Sequence, residues 1–331
     1  MLDIEARGRD AAFHFSVEEY FTQHVQSDEP VMMVWRAEPC VMLGQYQVAA
    51  AEVNMGFAQK EGIQIVRRSS GGGAIFADLG TLLFTMIAPC RAEQSPQQIA
   101  RETVATAVIE ALNQMGITAK LEGRNDILVD GRKVTGLAQY ARNGWLCTHG
   151  SLLYDADLEV LVRSLHVDQD KIQSKAISSV RSRVSNLKAH MKDSCSTQAF
   201  YEMFRQKLFE GPKKKIHTLS TREIEEIDRI YHAKYGNPVW VFEKSPKFSF
   251  HNGRRFTAGK VDIYLDVVKG TVSSASIRGD FLGTVLIRGL EEQLEGCAFQ
   301  YQAMGETLDK IALEPYLGGI TKEELLSCMF E

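Results

Sequence analysis

The sequence has no CxxC pair, no apolar run of the roughly 18 residues that a membrane helix needs, and no marked excess of either charge. The first absence disfavours a zinc site. Six cysteines lie scattered at Cys40, Cys90, Cys147, Cys195, Cys297 and Cys328, and a chain of 331 residues can bury a core without disulfides. The second leaves no helical membrane span. The N-terminus, MLDIEARGRD, carries acids and no apolar core, so it is not a secretory signal, and a cytoplasmic location with no membrane partner is expected. The third argues against an electrostatic nucleic-acid binder: net charge is −4 and pI is near 6.1, and KKK at 213–215 reads as solvated surface.

What remains is ordinary globular composition, 44% hydrophobic and 24% charged, with length enough for two domains. A Ser N-cap candidate and early acids make SVEEYFTQHV (16–25) a helix. VMMVWRA (31–37), CVMLGQYQ (40–47) and IQIVRR (63–68) read as strands, with a short helix ending at Gly62 between the last two. AIFADLGTLLFTMIAP reads as a hairpin turning at Asp78–Gly80. Pro96 opens a helix over 95–116, and at least three strands follow, with Asp130-Gly131 as a tight turn.

From 156 to 240 the pattern is mostly helical. Texture changes at Asn237-Pro238, a boundary around 236–247, and then strands resume before helices near 286–296 and 302–313. The expectation is an α+β protein: a domain of mixed β-sheets flanked by helices over 1–240, a linker at 241–246, and a small α/β domain over 247–331.

Two stretches carry chemistry. RRSSGGGAIF (67–76) places two cations before three glycines, and backbone N–H groups freed of side chains can approach an anion closely. The spacing fits neither GxxxxGK[ST] nor GxGxxG, so by itself this is also how a tight turn looks. GRNDILVDGRKVTGLAQ (123–139) puts Lys133 just after a hairpin turn, aimed across the sheet that bears the glycine loop, where its mobile charge could follow a phosphate. Asn125 and Asp126 head an apolar strand, Gly136 offers a second close-approach position, and Asp126 could ligate Mg²⁺ together with substrate phosphates.

These two stretches, with HGSLLYDADL (149–158), SVRSRVSNL (179–187), SPKFSF and IRGDFLG (277–283), resemble the bacterial lipoate–protein ligases of the biotin/lipoate ligase superfamily along nearly the whole chain. The resemblance implies an adenylate-forming catalytic domain and an accessory domain that rearranges between two steps. Lipoate is activated by ATP and Mg²⁺ as lipoyl-adenylate. The acyl group then passes to a lysine of a lipoyl carrier protein, such as the glycine-cleavage H protein or a dehydrogenase E2 lipoyl domain. By the same resemblance Arg68 and the backbone of Gly73, Ala74, Ile75 and Phe76 would line the nucleotide phosphates, and Lys133 would touch the α-phosphate and the acyl carbonyl. Ser70, Gly71 and Gly72 would border an acyl tunnel walled by residues such as Val66 and Leu83, with Asn125, Gly136 and His149 as further binding positions. Arg142, Lys171, Lys175 and Arg181 are candidate contacts to an acidic carrier.

The chain departs from the family at ADLGT (77–81), where the ligases usually have histidine and asparagine in place of Ala77 and Thr81, and at Gln45-Tyr46-Gln47, where asparagine is common. Four alternatives stay open. One is a divergent paralogue with altered acyl or carrier specificity. A second is an ATP-independent octanoyl or lipoyl transferase, with Cys147 as thioester nucleophile beside His149. The third is a non-catalytic adenylate- or carrier-binding protein, and the fourth is a biotin ligase, whose glycine signature differs.

Overall fold

A computed structural model describes residues 1–24, 29–90, 94–123, 125–165, 183–210, 215–242, 250–268 and 270–330. The main sheet has the spatial order β11 (Lys215–His217), β1 (Leu2–Ile4), β2 (Val31–Trp35), β6 (Thr81–Pro89), β10 (Trp145–Leu153), β9 (Arg132–Arg142), β8 (Asp126–Val129) and β7 (Ala119–Glu122). β1 runs parallel to both neighbours and the remaining pairs are antiparallel. Period 2 divides β2 between two cores. Met32 and Val34 face one with Phe200 and Phe204; Val31, Met33 and Trp35 face the other with Phe15 and Phe21 of helix α1 (Ala11–His24). Covered on both faces, β6 and β10 need the near-continuous apolar runs that they have.

A smaller sheet holds β4 (Gln64–Arg67), β3 (Cys40–Leu43) and β5 (Ile75–Ala77), and this corrects the expected hairpin. The turn forms, with Thr81 N donating to Asp78 O at 3.0 Å and Gly80 N to Asp78 Oδ1 at 2.9 Å. However, β5 pairs with β3 while both edges of β6 are taken by β2 and β10, so the chain changes sheets at Asp78. The Asp130-Gly131 turn between β8 and β9 is as expected, both residues having positive φ (49° and 73°), the geometry of a type I′ hairpin.

Helix α1 begins before the expected Ser16 cap. The Asp10 carboxylate accepts from Ala12 N at 2.9 Å, and Ser16 donates to Ala12 O at 2.8 Å from inside the helix. Glu18 and Glu19 are therefore mid-helix and buried rather than first-turn acids facing solvent.

At the C-terminal end β12 (Phe250–Phe256), β13 (Gly259–Val268) and β14 (Thr271–Gly279) form an antiparallel sheet covered by the helices Arg288–Leu294, Tyr301–Leu308 and Lys322–Phe330. The last of these was not expected, although Thr321 and Glu324 form the reciprocal cap that TKEE signals. Of the expected linker, 243–246 lies outside the described residues. Tyr46 enters this C-terminal core: its ring stacks on Phe281 at 5.0 Å and its hydroxyl donates to Val285 O at 3.2 Å.

Candidate active site

Of the two arginines before the glycine loop, Arg68 holds the loop itself and Arg67 holds the segments beside it. Arg67 is buried and donates to five carbonyls, Gly44, Gln45, Gln47, Trp240 and Val241, at 2.6–3.2 Å. Arg68 turns the other way and donates to Met42 O at 2.9 Å, to Gly71 O and Gly73 O at 2.8 Å, and to Ser70 Oγ at 3.0 Å. Burial lowers the Arg68 pKa to about 10, which leaves it charged at neutral pH. Gly72 takes φ +91°, a conformation side chains resist, and its N–H donates to Phe281 O at 3.1 Å.

Lys133 reaches the same place from a different sheet. It stands on β9 of the main sheet while the loop leaves the small sheet, so the two are not borne by one sheet as expected; they face each other across a cavity lined by both. The ammonium pairs with Asp126 Oδ1 at 2.7 Å and lies over Gly136, where a Cβ would come within 3.0 Å of it. Ser185 N donates to Lys133 O at 3.0 Å, and His190 bridges Ser185 Oγ (2.9 Å) and Asp130 (2.7 Å), tying the described end of SVRSRVSNL to the lysine's hairpin. Asn125 lines the cavity and donates to Leu137 O at 2.7 Å.

The interior of the cavity is apolar, with Phe15, Trp35, Met42, Leu83 and Leu137 on its walls and Leu282 from the C-terminal unit. At its inner side His149 sits with Nε2 2.6 Å from Ser70 Oγ and Nδ1 3.0 Å from Glu18 Oε2, and Thr85 donates to Glu18 Oε1 at 2.6 Å. A second buried network joins the loop to the surface: Glu19 accepts from Lys234 at 2.6 Å, Tyr235 at 2.7 Å and Arg142 at 2.8 Å, and Lys234 donates to Ser69 at 2.8 Å. Burial would raise the Glu19 pKa, but these cations and donors hold it below the ordinary carboxylate value.

Of the residues expected from sequence, Arg68, Gly72, Gly73, Ala74, Ile75, Asn125, Lys133, Gly136 and His149 line one cavity, and Leu83 joins them. Others stand apart. Arg68 spends its donors on the loop rather than pointing them at a phosphate, Ser70 backs His149, and the N–H of Gly72 faces Phe281. Phe76 and Val66 are buried in hydrophobic clusters and do not line the cavity, although Val66 shares its cluster with the wall residues Phe15, Trp35, Met42 and Leu83. Arg142 is held by Glu19, and Lys171, Lys175 and Arg181 lie outside the described residues.

Sequence reasoning missed Glu18, Glu19, Trp35 and Leu282. The available signal was the adjacent acid pair among Phe15, Val17 and Phe21, which cannot all face water on one helix.

Ala77 and Thr81 do not line the cavity. Ala77 is fully buried and Thr81 bonds to Asp78 at 3.2 Å. Installing the family's side chain by Ala77→His should therefore overpack the site and cost about 1–3 kcal/mol, read as a lower denaturation midpoint. An unchanged midpoint would show that the position has space it lacks here.

A largely apolar pocket with Lys133 on its wall suits an apolar ligand that carries an anionic group such as a carboxylate. Residues 10–209 match the lipoyl protein ligase A/B catalytic domain, and residues 245–329 match the bacterial lipoate protein ligase C-terminus. The chain is 34% identical over 327 residues to lipoate-protein ligase LplJ of Bacillus subtilis, covering 97% of each chain. Among solved structures it resembles the lipoate complex of Plasmodium falciparum LipL1 in fold, with TM-score 0.77 at 20% identity over 99% of both chains. It also resembles an archaeal bi-partite lipoate protein ligase from Thermoplasma acidophilum, studied with its E2 lipoyl domain, with TM-score 0.66 at 25% identity over 75% of this chain and 98% of that one. The chain belongs to the lipoate–protein ligase family.

Proposed function

We propose that the cavity activates lipoate with ATP and that the chain then transfers the lipoyl group to a lysine of a lipoyl carrier domain. The observation that carries this reading is the meeting of Lys133 and the Gly72–Gly73 backbone on the wall of one apolar cavity. The acyl chain would lie among Trp35, Leu83 and Leu137 with its carboxylate toward Lys133. In the first step a carboxylate oxygen attacks the α-phosphorus and pyrophosphate leaves; in the second the carrier's amine attacks the acyl carbonyl and AMP leaves. Lys133, released from Asp126, would stabilise the negative charge that develops first on the α-phosphate and then on the carbonyl oxygen. The apolar walls keep water from the mixed anhydride.

A single carboxylate beside a phosphate site suits Mg²⁺, a hard cation that completes its shell with phosphate oxygens, and Asp126 would hold it to neutralise the departing pyrophosphate. Carriers of the H-protein or E2 lipoyl type and a cytoplasmic setting, where ATP is supplied, complete the proposal. Among the described residues, no helix is long and apolar enough to cross a membrane.

The environment of Cys147 speaks against the transferase alternative. Cys147 is fully buried, and burial together with the Glu18 carboxylate pushes its thiol well above the ordinary value, the reverse of what a nucleophile needs. Cys147→Ser should leave acyl transfer within about twofold of the parent, since only a packed thiol is exchanged, whereas a thioester mechanism would lose it entirely. The direct test combines protein, ATP, Mg²⁺ and lipoate with H protein and an E2 lipoyl domain, read by intact mass and by lipoate-dependent pyrophosphate exchange. Absence of exchange with a folded protein would leave only a binding role.

A further inference from the structure

The scattered cysteines disfavour a zinc site when the sequence is read alone, yet the fold gathers three metal-ligating side chains from distant parts of the sequence, one of them, His149, on the wall of the cavity. Glu18 comes from α1, and Cys147 and His149 project from the same face of β10. Their ligand atoms lie within 4.8 Å of one another, and all three side chains are buried. We propose that Glu18, Cys147 and His149 form a binding site for a soft divalent cation, zinc in particular, and that the bound ion competes with the acyl chain for the cavity.

The chemistry of the donors favours this ion. Carboxylate, thiolate and imidazole are a set of three that zinc accepts while keeping a fourth position open, and thiolate selects it over magnesium or calcium. Two negative ligands neutralise Zn²⁺, so the filled site buries no net charge. The Cys147 proton is released to solvent as the Zn–S bond forms, with no change of oxidation state. Ligands around tetrahedral zinc stand roughly 3.3–3.8 Å apart, so His149 Nδ1 and Glu18, now 3.0 Å apart, need separate only slightly, and all three ligand atoms already lie within 4.8 Å of one another.

The neighbours of these three side chains would suit a bound ion. With Nδ1 on the ion, the N–H at Nε2 would donate to Ser70 Oγ, already 2.6 Å away, and Thr85 would keep its bond to the carboxylate. Tyr140 stands opposite Cys147 in the β9–β10 register. Its buried hydroxyl has no oxygen or nitrogen partner and lies beside that sulfur, where a metal-bound thiolate would accept its hydrogen bond. His149 is part of the cavity wall, so an ion held on its ring would lie next to the cavity.

The experiment loads the metal-free protein with Zn²⁺ or Co²⁺, measures stoichiometry by native mass spectrometry and follows the thiolate-to-cobalt charge-transfer band. Lipoate binding is measured by calorimetry with and without zinc. One ion per chain, a sulfur band, and lipoate affinity lowered at least tenfold by saturating zinc are expected. Cys147→Ser should abolish the band and weaken zinc binding by at least about 10–100-fold, and Tyr140→Phe, which keeps all three ligands, by about tenfold.

Cobalt bound without the band, or zinc retained equally by Cys147→Ser, would overturn the site. Zinc bound with the band but without effect on lipoate would overturn the competition. The metal readouts do not depend on the ligase reading, and only the competition rests on it, so a failure of either is recognisable.

Discussion

Lys133→Ala should reduce lipoate-dependent pyrophosphate exchange by about 10²–10³-fold, the loss found when one preorganised charge is removed from a transition state, about 2.7–4 kcal/mol. The carrier's mass shift should disappear with it, because the same ammonium serves the second step. Stability should hardly move. The Lys133–Asp126 pair is more than a third exposed on both sides, and such pairs contribute about 0–1 kcal/mol. Lys133→Arg keeps the charge but replaces a compact ammonium with a planar fork over Gly136, where the gap is already close, so partial activity is expected. Undiminished exchange in the alanine variant, with the fold intact by circular dichroism, would remove the central residue from the mechanism.

Arg67→Met should be the most destabilising single change in the loop region. The guanidinium ties the residues after β3 to Trp240 and Val241, and its loss takes a donor from five carbonyls, of which Gly44 O keeps a bond from Gln47 N at 3.2 Å. Each unsatisfied group costs about 1–3 kcal/mol, and with partial repair by water a total of about 3–5 kcal/mol is expected, a fall in Tm on the order of 10 °C. The neighbouring cation gives a contrast. Arg68→Met should also destabilise, but with a larger effect on lipoate and ATP affinity, since Arg68 braces Gly71 and Gly73 and lines the cavity. A thermal scan and a titration of each variant separate the two roles. Equal loss of stability and equal loss of affinity in both would contradict the division of labour.

Local signals carried much of this structure. Ser95-Pro96 opens its helix, Asp130-Gly131 turns its hairpin, and the glycine triplet and Lys133 meet at one cavity, because cap, turn and loop chemistry act over a few residues. Pairing partners were less legible. β5 and β6 are separated by a tight turn and look like a hairpin, yet which sheet each joins depends on the edges left by β3 and β2, far away in sequence. The same is true of side-chain direction. Two adjacent arginines look alike in the sequence, but one reaches Val241 and the other Gly71, and both face carbonyls rather than an anion. Glu18 was hidden by a helix that begins earlier than its serine suggests, which turned a surface acid into the buried partner of His149.

The hydrogen bond from Gly72 to the Phe281 carbonyl has a thermodynamic corollary. That amide is taken by the C-terminal unit, so under the proposed mechanism any ligand atom that uses it must displace the Phe281 carbonyl, and its binding and the seating of that unit would oppose each other through a shared donor. By reciprocity, whatever factor docking takes from the affinity of such a ligand, the ligand takes from docking. A chain stripped of residues 250–330 would on this account hold that ligand more tightly.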